Sequence, residues 1–308
     1  MSDFIIKGTV AGFTLEKWIT DLTLFSSTSI TLMNTWARRE FTPQGILIHE
    51  NHRLIKESYG EVKLALIAIE NDIHNLSVNY GQIIYNLNDD RLEGGLRSLF
   101  IGNLVENYFT NLRSIYDHLA TFPRIVCNKK LLKDGLLRSN SYNDLIGLTM
   151  KHAKIIDALS VGIVWAIEES KSNFEVIKNI RDAIIHQGKD TVITVTQARK
   201  VYFKIPKKAG IYNSDNLVPN LLGSDLEEFE LLHFLKHITR QLLIDMEKLG
   251  NTIAEVYITP EIQAEGLMLY ALTGICMKPF MTFLFPEGRE ESFYKNALLA
   301  NQQRPDVI

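Results

Sequence analysis

Cysteine is scarce. The chain has two in 308 residues, Cys127 and Cys276, far apart and without metal-ligand spacing. That excludes a disulfide scaffold and leads us to expect a reducing, cytoplasmic setting. Positive charge is not in excess either: the net charge is −3. No global field exists to hold a long nucleic acid, so any RNA contact must be local. Long apolar runs are missing. The best membrane candidate, Gly266 to Phe285, is cut by Lys278-Pro279, short of the ~20 residues needed to span. A buried helix followed by a short apolar strand or loop is expected there, and no membrane partner. The start, MSDFIIKGTVAGF, has no basic stretch leading into an apolar run, so no secretory signal is expected. There is no G-x-x-x-x-G-K-[ST] loop, no G-x-G-x-x-G turn and no G-x-S-x-G elbow. Nor is there a solenoid-period repeat or a low-complexity run.

What is present is helical periodicity. The composition, 46% hydrophobic and 22% charged, is that of a globular chain with ample core. From about Asn51 to Asn79 apolar residues recur at threes and fours, through Val62, Leu64, Leu66, Ile69, Ile73 and Leu76. NLNDD should break that helix. A second long helix is read from Gly94 to Phe122, with Leu96, Phe100, Leu104, Tyr108, Leu112, Ile115 and Leu119 on its apolar face and Pro123 as its stop. NDLIGLTMKHAKIIDALS reads as a third, capped by Ser141 or Asn143. VGIVWAIEES and NFEVIKNIRDAIIHQG follow, with a break allowed at Lys171-Ser172-Asn173 and Gly188 as a C′ stop. TVITVT and KVYFKI predict a β-hairpin. Ser224-Asp225 with Glu227-Glu228 should open a last long helix reaching Val256. FIIKGTVAGF and SSTSITLM read as short extended pieces around a helix at Leu15–Leu22.

The expected fold is mainly α: an up-and-down helical bundle with a small β-hairpin and a C-terminal helical extension. Residues 1–49 would form an N-terminal arm and 50–190 the bundle. Residues 191–308 would supply the hairpin, the long helix and an extension packed on the bundle.

Two segments share one spacing. NIRDAIIHQG carries Arg181, Asp182 and His186, and NLRSIYDHLA carries Arg113, Asp117 and His118. Five residues on a helix put Arg and His about 140° apart, so they do not stack on one face. Arg181 falls within the arc of Phe174, Ile177, Ile180, Ile184 and Ile185, and His186 lies beyond its far edge. A long Arg can bridge that angle, or a partner helix or second subunit can complete the site. His186 also sits in the last turn before Gly188, at the negative end of the helix dipole, a place that favours an imidazolium. Arg binds phosphate bidentately and stabilises charge developing on it, and His moves protons near neutral pH. RNA suits such a metal-free pair because its 2′-OH can act as nucleophile. The Arg113, Asp117 and His118 group is expected to fix helix packing, with a supporting role at the site as the lesser reading. His233 and His237 lie one turn apart and could share a metal, but FLK between them lacks the Glu of H-E-x-x-H. No third ligand is evident, so no metal or cofactor is expected.

Arg181-Asp182-x-x-x-His186, closing a bundle helix, resembles the Arg-polar-x-x-x-His signature of the HEPN superfamily. The order LRSIYDHLA, SYNDLIGL, IRDAIIHQG is similar to the helix order of uncharacterised bacterial members, over residues 50–190. The resemblance implies a core of four or five helices and homodimers that bring two motifs together. It also implies metal-independent endoribonuclease activity, with Arg181, Asp182 and His186 as active-site residues. A toxin or phage-defence role with an antitoxin or other protein partner would follow. The alternative is a non-catalytic helical module that binds nucleotide, RNA or a protein partner.

Overall fold

The computed structural model describes residues 24–25, 28–37, 59–126, 141–151, 159–211, 214–219, 221, 229–257 and 272–286. Its largest helix–helix interface joins α2 (Tyr59–Asn88) to α3 (Gly94–Leu119), an antiparallel pair linked by a tight turn. Arg97 closes that turn, its guanidinium donating to the carbonyls of Asn86, Asp89 and Leu92. α2 extends through Ser77 to Asn88, beyond the Asn79 end read from the sequence. The Ser77 hydroxyl donates to the His74 carbonyl and does not interrupt the helix. The start of that helix read at Asn51 lies outside the described residues.

α3 ends at Leu119, and Thr121–Val126 forms a separate short helix, α4. Pro123 therefore opens a new helix within its first turn, where its missing N–H costs nothing. α5 (Tyr142–Lys151) leads to α6 (Val161–Gln187), which runs unbroken. The break allowed at Lys171-Ser172-Asn173 does not occur. Ser170 hydrogen-bonds the Tyr142 hydroxyl at 2.7 Å, and Asn173 donates to Tyr116 Oη and the Ile238 carbonyl. Asn173 is thus engaged away from its own helix backbone, while the Ser170 hydroxyl donates to the Ile167 carbonyl of α6 without interrupting the helix. Gly188 ends α6 in the left-handed region (φ 58°), its N–H bonded to the Ala183 carbonyl, as a C′ glycine should.

The hairpin forms as expected, β2 (Val192–Val195) against β3 (Val201–Lys204). Its QAR connection works because Arg199 adopts φ 59°, the left-handed residue that follows a type I turn in three-residue hairpin loops. A third strand, β4 (Phe229–Glu230), was not legible in the sequence. It pairs with β3 and passes straight into α7 (Leu231–Tyr257), so α7 begins later than the Ser224-Asp225 cap predicts.

α7 is the most enclosed helix. Every residue from Leu242 to Ile253 is buried, Asp245, Glu247, Lys248, Asn251 and Thr252 included. It packs on α6, α3 and α1 (Thr28–Ala37). The α1 segment overturns an expectation, since SSTSITLM was read as extended. Ile30, Leu32 and Met33 are buried and the Ser29 hydroxyl donates to the Met246 carbonyl at 2.5 Å. The crossing is close at Gly250, where an added Cβ would stand 2.7 Å from Ser29 Oγ. The Leu15–Leu22 helix lies outside the described residues. A two-residue strand β1 (Leu24–Phe25) pairs with β5 (Leu272–Thr273) ahead of α8 (Met277–Leu284). Here strand precedes helix, the reverse of the expected order, because Lys278-Pro279 falls in the first turn of α8. No described helix is long and apolar enough to cross a membrane.

Candidate functional site

Arg181, Asp182 and His186 come together at the C-terminal end of α6. Ile180, Ala183 and Ile184 are buried and anchor this turn to the core. The three polar side chains point outward between partial and full exposure: 28% for Arg181, 34% for Asp182 and 63% for His186. Arg181 bridges the 140° angle by itself. Its Nη1 stands 2.7 Å from His186 Nε2 and 3.0 Å from Asp182 Oδ1. Asp182 Oδ1 lies 3.9 Å from His186 Nε2. No second helix is needed to bring the pair into contact.

The contact also fixes proton positions. A guanidinium donates and never accepts. His186 Nε2 must therefore be the acceptor, with its ring proton on Nδ1. In this contact Nε2 offers its lone pair to the guanidinium. Ile185, half exposed beside His186, leaves an apolar shoulder on the cluster although the sequence placed it in the buried arc.

The second Arg–His segment is built differently. Arg113 pairs with Asp117 one turn on and lies over the Phe174 ring, 4.5 Å from its centroid. Asp117 Oδ1 also accepts the Tyr142 N–H at 2.9 Å, fastening the first turn of α5. His118 faces Asp72 of α2. Burial raises that carboxyl above its ordinary range, while a Ser114 hydrogen bond and His118 act against the rise. This group ties α2, α3, α5 and α6 together; it does not join Arg181 and His186.

His233 and His237 stand exposed on α7. Burial, then His233 and Arg240, pull the His237 imidazole below its ordinary value. Among the described residues no three His, Cys, Asp or Glu side chains are placed to hold a metal ion.

Two features escaped the sequence reading. Glu106 on α3 has a carboxyl raised by burial and then by Asp190, three residues past the end of α6. Deeper in the bundle, Asp245 of α7 is fully buried. It accepts from Tyr116 Oη at 2.6 Å and Gln241 Nε2 at 2.9 Å. Burial pushes its carboxyl up to about 7, against the hydrogen bonds and Lys248, which lower it. The one signal for it was an acid set within the apolar run LLIDM.

Comparison with known protein families, curated proteins and solved structures finds no match to this chain.

Proposed function

We propose that the chain is a metal-independent endoribonuclease of the HEPN kind, working through Arg181, Asp182 and His186. The observation that carries this reading is the 2.7 Å approach of Arg181 Nη1 to His186 Nε2 at an open helix end. An entering RNA phosphate would draw the Arg181 guanidinium onto its non-bridging oxygens, a stronger charge-assisted partner than a neutral ring. That frees the Nε2 lone pair to take the proton of the adjacent 2′-OH. The 2′-oxygen then attacks phosphorus and the bond to the 5′-oxygen breaks. The proton passes to that leaving oxygen, giving a 2′,3′-cyclic phosphate and a free 5′-OH. Asp182 holds Arg181 in place throughout.

The test is incubation of the purified chain with single-stranded RNA in EDTA, with products resolved by end chemistry. Cleavage leaving cyclic phosphate is expected, and none on DNA, which lacks the 2′-OH. His186→Ala and Arg181→Ala should each slow it ~100-fold or more. A second reading, a non-catalytic module, draws on Arg181 Nη1 being engaged already by Asp182 and His186. It would be chosen if the wild type binds RNA without turnover and Arg181→Ala weakens that binding. Equal cleavage by wild type and His186→Ala sinks the nuclease proposal.

A further inference from the structure

Gln241, Asp245 and Lys248 follow one another at spacings of four and three, which puts them on one face of α7. Asp245 is 2% exposed and the Lys248 side chain 11%. Trp165 and Glu169, one turn apart on α6, meet them. Lys248 Nζ stands 3.8 Å from Glu169 Oε2 and 5.5 Å from the centre of the Trp165 ring. That ion pair is long, and the Glu169 side chain is 45% exposed. Water therefore weakens it. One nearly buried ammonium thus lies within reach of two carboxyls. The first is wet and on α6; the second is dry and on its own helix.

Asp245 is fixed in place. Tyr116 Oη donates to its Oδ2 at 2.6 Å and Gln241 Nε2 to its Oδ1 at 2.9 Å. Asn173 donates in turn to Tyr116 Oη. Lys248 is the movable member, an ammonium on a flexible four-carbon stem.

We infer that Asp245, Lys248 and Glu169 form a proton-operated latch between α6 and α7. With Asp245 protonated, Lys248 reaches across to Glu169 and lies over Trp165, tying the two helices together. When Asp245 gives its proton to solvent, Lys248 turns back to the new carboxylate and the tie to α6 opens. The dry carboxylate wins the ammonium because little solvent screens that pair. It also needs the ammonium more, since a buried charge left unpaired is costly.

Burial lifts the Asp245 carboxyl to about 7, against Tyr116, Gln241 and Lys248, so the exchange falls near neutral pH. Glu169 adds to the rise. Tyr116 and Tyr142 also face Asp245, but burial raises both phenols and they keep their protons. Glu247 lies on the opposite side of α7. Of the other helices packed on α7, the described α1 carries no acid or base, α4 carries Arg124 and α8 an exposed Lys278. Glu169 and Arg181 are twelve residues apart on α6, about 18 Å. The latch stands whether or not the chain cleaves RNA.

The test is a pair of double-mutant cycles on the full chain, read as unfolding equilibrium constants in urea at pH 6 and pH 8. Glu169→Gln with Lys248→Met measures the tie between helices, and Asp245→Asn with Lys248→Met the pair within α7. At pH 6 the Glu169–Lys248 coupling should be about two- to fivefold, and the Asp245–Lys248 coupling near one. At pH 8 the order should reverse, with Asp245–Lys248 on the order of tenfold. Trp165 gives a second reading in the folded state. In a Trp18→Phe, Trp36→Phe background its emission should change in one step between pH 6 and pH 8. That step should vanish in both Asp245→Asn and Lys248→Met. Couplings that do not move with pH overturn the latch. So does the absence of a Trp165 step, or a step that survives Lys248→Met. Circular dichroism checks folding, and either measurement decides alone if a variant needed for the other is unfolded.

Discussion

Asp245→Asn should change the pH dependence of stability more than any other single substitution in the bundle core. Asp245 is 2% exposed, and its carboxyl moves from the ordinary 3.8 to about 7 in the folded chain. The folded state therefore holds the proton more tightly than the unfolded state. The stabilising contribution is complete below about pH 3.8 and is lost as pH rises to about 7. At about 1.4 kcal/mol per tenfold change in proton affinity, the full swing is on the order of 4 kcal/mol. About 3 kcal/mol of it falls between pH 5 and pH 8. Asparagine has nearly the same shape and cannot ionise. Its carbonyl can still accept from Tyr116, while Gln241, only partly buried, gives up its bond at a pH-independent cost of about 1 kcal/mol. Urea denaturation followed by circular dichroism at pH 5, 6, 7 and 8 gives the comparison. Other titrating groups affect both proteins alike and cancel in the difference. The variant should gain on the wild type by about 3 kcal/mol across that range and be the more stable protein at pH 8. Parallel curves would refute the assignment of an ionisable, desolvated acid at the centre of α3, α6 and α7.

Gly250→Ala should lower stability by about 1–3 kcal/mol, seen as a lower melting temperature, because its Cβ meets Ser29 at a helix crossing with no room to spread. Arg113→Ala should also lower the melting temperature, since it strips Asp117 and Phe174 of their partner and loosens the start of α5. RNA cleavage by the Arg113 variant should track its folded fraction, whereas Arg181→Ala should lose cleavage with its melting temperature nearly unchanged.

The sequence showed the helices better than their faces. Period alone named α2, α3 and α6, because each buries a stripe that repeats every three or four residues. It misjudged which apolar residues turn inward. Leu64, Leu96 and Phe100 all counted toward buried faces and all stand exposed. The α1 segment was misread because serine and threonine favour extended backbone locally, while burial of Ile30, Leu32 and Met33 against α7 decides the matter from far along the chain. β4 is two residues long and exists only through its pairing with β3, so no local pattern could announce it. At the site, the identities of Arg181 and His186 and the angle between them were legible. Whether Arg181 would reach across depended on its rotamer, which no spacing determines. Asp245 stayed hidden because Tyr116, which donates to it, comes from α3, and only Gln241 is a neighbour on its own helix.

The enclosure of α7 bears on how the chain is made. A ribosome that has released the first 190 residues has finished α6, with Arg181 and His186 on it. The strand-free apolar face of α6 must wait for Leu231–Tyr257 to emerge before it is covered. Asn173 waits for the Ile238 carbonyl, Tyr108 for Thr239 and Tyr116 for Asp245. Until then the nascent chain carries α6 without the core that covers it, and is exposed to misassembly over that interval of synthesis. The last long helix acts as the keystone, so the buried face of α6 around Glu169 and Asn173 is closed only late in translation.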